Sequence, residues 1–201
     1  EGAKVVAVDK DEAAAQETAR LIREEGGRVE VVVADVTVHA QVKAAVAAAR
    51  AAFGGRIDIL HNNVGTTAMG GPVEESLESW EHVIRTNVTS VFLTCKETLP
   101  VMVAQKKGAI INISSVAAIL PFGLVGYKTS KAAVNAYTES LAAANARYGV
   151  RVNAIMPGLM ETPMAIDASL EARGGISREA LVDQRNRQVP LGRKMGTGWD
   201  V

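Results

Sequence analysis

The chain has 201 residues, 48% of them apolar and 22% charged, with 22 Lys plus Arg balanced by 22 Asp plus Glu. That is the profile of one ordinary globular domain, with no second domain required. Nothing more basic than Lys106-Lys107 is clustered, which argues against a nucleic-acid binder, and no apolar run approaches the about 18 residues of a membrane span.

Residues 4–8 (KVVAV) form an apolar run ending at Asp9, and residues 11–25 then carry Ala, Leu and Ile at helical spacing until Gly26-Gly27 stops them. The alternation repeats, with a strand over 29–34, a helix over 40–53 ending at Gly54-Gly55, and a strand over 57–60 running into the loop NNVG. One long helix is expected over 77–105, then a buried strand at 109–113 (AIINI), a helix over 127–148 closed by Gly149, and a strand over 150–156 halted by Pro157-Gly158. Val and Ile runs without polar alternation suit a parallel sheet covered on both faces, and strands alternating with helices suit right-handed crossovers. The expected fold is therefore a single-domain α/β protein with a doubly wound parallel sheet, a Rossmann-like three-layer αβα sandwich. From residue 159 to 189 the pattern loosens around Gly174-Gly175, as a mobile flap over a binding site would.

Cys95 stands alone, so no internal disulfide can form, and a reducing, cytoplasmic setting is expected. His39, His61 and His82 fall in no metal-binding pattern, so no metal is expected.

Ligands of doubly wound sheets bind beyond the carboxyl ends of the strands. Asp9, Asp35, Asn62-Asn63-Val64-Gly65, Ser114-Ser115 and Pro157-Gly158 stand at those ends in turn. Beside them Tyr127 and Lys131, four apart, project from one helix face. A tyrosine titrates near pH 10, so work as a base near neutrality needs a drop of about three units, or about 4 kcal/mol. One nearby cation supplies about one to three units, so Lys131 needs help from a second positive charge, such as the ring of an oxidised nicotinamide.

Taken alone a Tyr-x-x-x-Lys pair is a weak signal. Here YKTSK at 127–131 follows NISS at 112–115 and NNVG at 62–65, and precedes RVNAIMPG at 151–158. These four ordered motifs closely resemble the short-chain dehydrogenase/reductase family. The resemblance implies hydride transfer between NAD(P) and a secondary alcohol or ketone. It makes Tyr127 the acid/base, Lys131 the residue that tunes it and holds the nicotinamide ribose, and Asn87, in RTNVTSVFL, the support of a proton relay. For the serine that orients the carbonyl, the Asn-x-Ser-Ser register selects Ser115 and the family's spacing to tyrosine selects Ser114. Neighbours on a strand face opposite ways, so one of the two should face the carbonyl, and Ser115 is preferred.

Asp9 can accept hydrogen bonds from adenosine ribose hydroxyls and would repel a 2′-phosphate, favouring NAD over NADP, although Lys10 beside it carries the opposite charge. The resemblance places Asp35 and Val36 at the adenine, Asn62 and Gly65 at the adenosine ribose and nearby backbone, and Pro157, Gly158 and Thr162 at the nicotinamide end. The lesser alternative for Asp9 and Asp35 is a helix cap or a loop-solvating group. Thr66, Met69, Val116, Phe122, Leu124 and residues 159–164 would line a pocket suited to an uncharged ketone or alcohol.

In the family a strand and Gly-rich turn that hold the pyrophosphate stand ahead of the position of Glu1, so the chain reads as trimmed at both ends and is expected to hold NAD weakly. GRKMGTG at 192–198 has the Gly-x-x-x-Gly-x-Gly spacing but follows Pro190-Leu191 rather than a strand, and reads as a decoy. Two other functions fit less well: a non-catalytic Rossmann-like binding module, and an epimerase or dehydratase of the extended branch, which would need a larger sugar-nucleotide domain. The resemblance also implies a homo-oligomer, a dimer or tetramer, built on the helices over 77–105 and 127–148. The Ala-rich run 132–146 could serve that contact or only pack on the sheet.

Overall fold

A computed structural model of the chain describes residues 2–173 and 175–201; Glu1 and Gly174 of the Gly174-Gly175 pair lie outside the described residues. Strands and helices alternate as β1 (Lys4–Asp9), α1 (Glu12–Glu24), β2 (Arg28–Val33), α2 (His39–Ala52) and β3 (Ile59–Asn62), then α3 (Leu77–Ile84) and α4 (Ser90–Gln105). There follow β4 (Gly108–Ile113), α5 (Val125–Asn145), β5 (Val150–Ile155), α6 (Pro163–Arg173) and α7 (Arg178–Asn186). This is the Rossmann-like α/β arrangement that the alternation of runs implies.

Local signals account for several boundaries. Asp11 caps α1 by accepting from the Ala13 and Ala14 amides, Ser76 caps α3 through Ser79, and Ser177 caps α7 through Ala180. Beyond the short 3-10 turn Ala146–Tyr148, Gly149 takes φ 72°, the left-handed conformation that suits glycine, and the chain enters β5.

All strand pairs are parallel, in two hydrogen-bonded pieces: β1 with β2, and β3–β4–β5 in that order. β3 sits two residues later than residues 57–60, because Asn62 pairs with Asn112 inside the ladder instead of opening the loop. The single helix expected over 77–105 is a continuous helical path interrupted by a π-helical turn, Arg85–Thr89, with Asn87 at its middle. The main core joins Val91, Cys95 and Met102 of α4, Ile110 of β4, Val134 of α5, and Val150 and Val152 of β5. A second core, Ile166, Leu181 and Met195, lies within the segment after β5. No helix among the described residues is long and apolar enough to cross a membrane.

Candidate active site

The carboxyl ends of β1 to β5 open on one cavity of about 1260 Å³. It runs from Asp9, Lys10, Asp35 and Val36, past Asn63 to Thr66 and Ser115, to Tyr127 and Lys131, and ends among Pro157, Gly158, Thr162 and Met164. An ordinary small-molecule pocket spans about 300–1,000 Å³, so the space suits a dinucleotide together with a second substrate. Its lining brings together most of the groups that the sequence motifs single out; Asn62 and Asn87 are not among its lining residues.

Tyr127 is the third residue of α5 and Lys131 lies one turn on. The Lys131 Nζ stands 5.7 Å from the centroid of the Tyr127 ring and donates to the Ile113 carbonyl at 2.8 Å, tying α5 to the end of β4. Burial pushes this amine down to about 8. Burial also raises the Tyr127 phenol above its usual value, while a hydrogen bond with Ser115 draws it back. The lowering expected from Lys131 is thus not the prevailing influence on the phenol, because the phenol is itself desolvated.

The two serines face different groups. Ser114 Oγ donates to the Lys131 carbonyl at 3.0 Å and so braces the helix backbone. Ser115, whose hydroxyl interacts with Tyr127, also accepts from the Ala117 amide at 3.1 Å, capping a 3-10 turn over Val116–Ala118. Ser115 is therefore the serine on the phenol side.

Asn87 is 1% exposed. Its Oδ1 accepts from the Thr66 amide at 2.7 Å, and its Nδ2 donates to the Thr66 carbonyl and to Ser130 Oγ, both at 2.9 Å. Ser130 Oγ in turn donates to the Tyr127 carbonyl at 2.7 Å. The Asn87 side chain thus fixes the loop after β3 against α5 from the middle of the π turn that interrupts the long helix.

Asn62 behaves differently from its expected place at the ribose. Its side chain turns into the protein, where Nδ2 donates to Asn112 Oδ1 at 2.9 Å and Oδ1 accepts from Thr94 Oγ1 at 2.7 Å. Asn112 continues the chain to Thr138 at 2.8 Å. Two amides buried between strands need these partners, so any ribose contact at this position falls to the backbone or to Asn63, Val64 and Gly65, which do line the cavity. Asn112 opens the NISS motif and Asn63 lies in NNVG, but the sequence reading gave neither a role; the lone Asn in the apolar run AIINI was the available signal for the first.

At the far end, Asp35 Oδ1 accepts from the Thr37 amide at 2.8 Å and its hydroxyl at 2.7 Å, which holds the carboxyl below its ordinary range, with Lys10 and Arg85 adding to the effect. Asp9 Oδ1 accepts from the Asp11 amide at 2.9 Å. Both aspartates shape their loops and also line the cavity. Thr162 caps α6 through the Ala165 amide. The GRKMGTG segment follows a turn, and its Gly196 bridges to Met160 and bonds to the backbone of Leu159 and Glu161, so this glycine ties the segment to the chain just after β5.

A parallel α/β fold with a Ser-Tyr-Lys cluster at the rim of a dinucleotide-sized cavity defines a nicotinamide-dependent oxidoreductase. A model of the short chain dehydrogenase family matches residues 1–172. The chain belongs to this family, whose members bind NAD(P) and act on CH–OH groups. It is 42% identical over 183 residues to 3beta-hydroxysteroid dehydrogenase 1 of Eggerthella lenta, covering 89% of this chain and 70% of that one. The gluconate 5-dehydrogenase of Burkholderia cenocepacia J2315, solved with NADP and tartrate, is 33% identical with a TM-score of 0.83, over 98% of this chain and 74% of that one. An NAD+-bound xylitol dehydrogenase is 31% identical with a TM-score of 0.87, over 96% and 77%. Solved relatives thus bind either nicotinamide cofactor.

Proposed function

We propose that this chain interconverts an uncharged secondary alcohol and its ketone, with NAD as the preferred cofactor and Tyr127 as acid/base. The observation that carries this is the meeting of Ser115, Tyr127 and Lys131 at one end of the cavity. Bound NAD+ supplies the hydride acceptor. In oxidation Tyr127 Oη takes the hydroxyl proton of the alcohol; in reduction the neutral phenol returns it to the carbonyl oxygen. Ser115 Oγ donates to that same oxygen and lowers the barrier where negative charge develops. The Lys131 ammonium is the counter-charge of the phenolate, and Asn87 holds loop and helix in register and supports the proton relay.

Asp9 would hold the adenosine ribose, with Asp35 and Val36 at the adenine, Gly65 and the Asn62 backbone beside the ribose, and Tyr127, Lys131, Pro157, Gly158 and Thr162 at the nicotinamide end. Met69, Val116, Phe122, Leu124 and Met164 give the substrate end an apolar lining, which favours an uncharged substrate. Residues 159–189 act as the flap over it. A cytoplasmic homo-oligomer built on α4 and α5 fits the buried free thiol of Cys95 and the half-exposed ring of Phe92 on α4.

The test is oxidation of cyclohexanol and menthol with NAD+ or NADP+, followed by absorbance of the reduced nicotinamide. Wild type should turn over with NAD+ favoured, and Tyr127→Phe should lose at least about 10²-fold. Undiminished Tyr127→Phe turnover rejects the acid/base assignment, and an NADP+ preference rejects the role given to Asp9.

A further inference from the structure

Lys128, next to the acid/base, lies inside YKTSK, but none of the roles drawn from that motif falls to it. It is half-buried, and its ammonium donates to three carbonyls: Ala117 at 3.1 Å, Ala118 at 3.3 Å and Leu120 at 2.6 Å. An ammonium has three protons, and the last carbonyls of a helical turn lack partners within it. The turn in question is Val116–Ala118, whose opposite end is capped by Ser115 Oγ. One turn of 3-10 helix is therefore capped by the serine at one end and by the neighbour of Tyr127 at the other.

Burial holds this loop only in part. Ala117 is buried and Phe122 lies against the Tyr127 ring with centroids 6.0 Å apart, but Ile119 is 65% exposed and Leu120 51%, so the two apolar side chains that follow the turn do not anchor it. Behind it the Val116 amide donates to the Pro157 carbonyl at 3.1 Å. Lys128 supplies the matching tether on the α5 side. Val116 and Phe122, on either side of the tethered carbonyls, both line the cavity.

We propose that Lys128 is a positioning residue that clamps the 116–120 turn to the catalytic helix and so sets the Ser115–Tyr127 register and the substrate wall. This rests on the acid/base reading of Tyr127 for its kinetic consequence, but not for its structural one. Misplacement of a catalytic group by about 1 Å can lower rates about 10²-fold. Lys128→Met should therefore lower kcat/KM for cyclohexanol by about tenfold to 10²-fold, leaving the dissociation constant for NADH within about twofold. Lys128→Arg, which restores a charged donor, should recover most of the loss.

The companion measurement needs no substrate. Amide hydrogen exchange on the whole chain should show residues 116–124 opening about tenfold faster or more in Lys128→Met, with β4 and the rest of α5 unchanged and Lys128→Arg again restoring protection. Unchanged exchange in that segment overturns the clamp, as does a loss of protection spread over the whole molecule or an NADH affinity that falls in step with turnover. If Lys128→Met does not fold, Lys128→Gln, which keeps two donors, takes its place under the same outcomes. Tyr127→Phe measured alongside separates the two ideas: turnover surviving in that variant removes the acid/base reading, while the exchange result still decides the clamp.

Discussion

Consecutive residues at a strand end point to opposite sides, and at Ser114-Ser115 that alternation sends one hydroxyl to the α5 backbone and the other to the Tyr127 phenol. Ser114 holds the Lys131 carbonyl and Ser115 meets Tyr127. Ser115→Ala should lower turnover about 10²–10³-fold, as loss of one donor to a developing oxyanion does, and leave the melting temperature nearly unchanged. Ser114→Ala should instead lower stability by about 1 kcal/mol and retain most turnover. A larger kinetic loss in Ser114→Ala would exchange their roles. Lys131 shows what the site demands of the fold. Its amine falls from 10.5 to about 8, equivalent to about 3 kcal/mol of destabilisation at low pH. Below about pH 8 the folded state keeps a proton on a desolvated amine and carries the full penalty; between there and 10.5 it releases that proton ahead of the unfolded chain, and the penalty fades. Lys131→Met should thus be more stable than wild type by about 1–3 kcal/mol at pH 7 while losing turnover, the stability–activity trade expected of a strained site. Denaturation at pH 7 and pH 10 checks it: the gain should shrink at the higher pH, and a gain that grew with pH would contradict the assignment.

At the scale of elements, the start of α5 has the most consequence. Leu124 at its N-cap has no side chain able to cap, and the free Gly126 amide is met at 2.8 Å by Glu75 Oε2, from the loop ahead of α3. A Cβ on Gly126 would run into that carboxylate, so the glycine is there to admit Glu75. Gly126→Ala should destabilise by about 1–3 kcal/mol through overpacking, and Glu75→Ala by about 1 kcal/mol through loss of the cap. In the double variant the clash is gone, so thermal denaturation should give less than the sum of the two; strict additivity would mean that they do not meet. None of this could be read from the sequence, since the partners are 51 residues apart and neither falls in a motif. The strands and α1 and α2 were readable to within a residue or two, because apolar runs and Gly stops are local. The π turn was not, since its residues are tied by Asn87 to Thr66 in a distant loop, and β3 was misplaced because a buried asparagine pair looks like loop composition.

For the whole molecule, the order of the motifs along the chain was enough to place Asp9, Asp35, Gly65, Ser115, Tyr127, Lys131, Pro157 and Thr162 around one cavity, since a parallel sheet delivers every strand's carboxyl end to the same side. The segment after β5 was harder to read: its charged, Gly-interrupted sequence hides two helices with a small core of their own. That core is separate from the main one. It is closed by the Met160–Gly196 bridge, by the Asn186 side chain accepting from the Met195 amide at 2.7 Å, and by an Arg178–Glu161 ion pair at 3.0 Å. Leu181, fully buried in α7, is its centre. Truncating such a residue removes about 2–5 kcal/mol, and with the two cores separate that loss should fall on local opening of the flap. Leu181→Ala should therefore speed amide exchange throughout α6 and α7 and raise KM for the alcohol, while β4 and α5 exchange as in wild type. Ile110→Ala, in the main core, should speed exchange in both regions, because unfolding of the sheet releases the flap as well. If Leu181→Ala lowered protection in β4 as much as in α7, the flap and the sheet would form one cooperative unit, and closure over substrate could not occur independently of the fold.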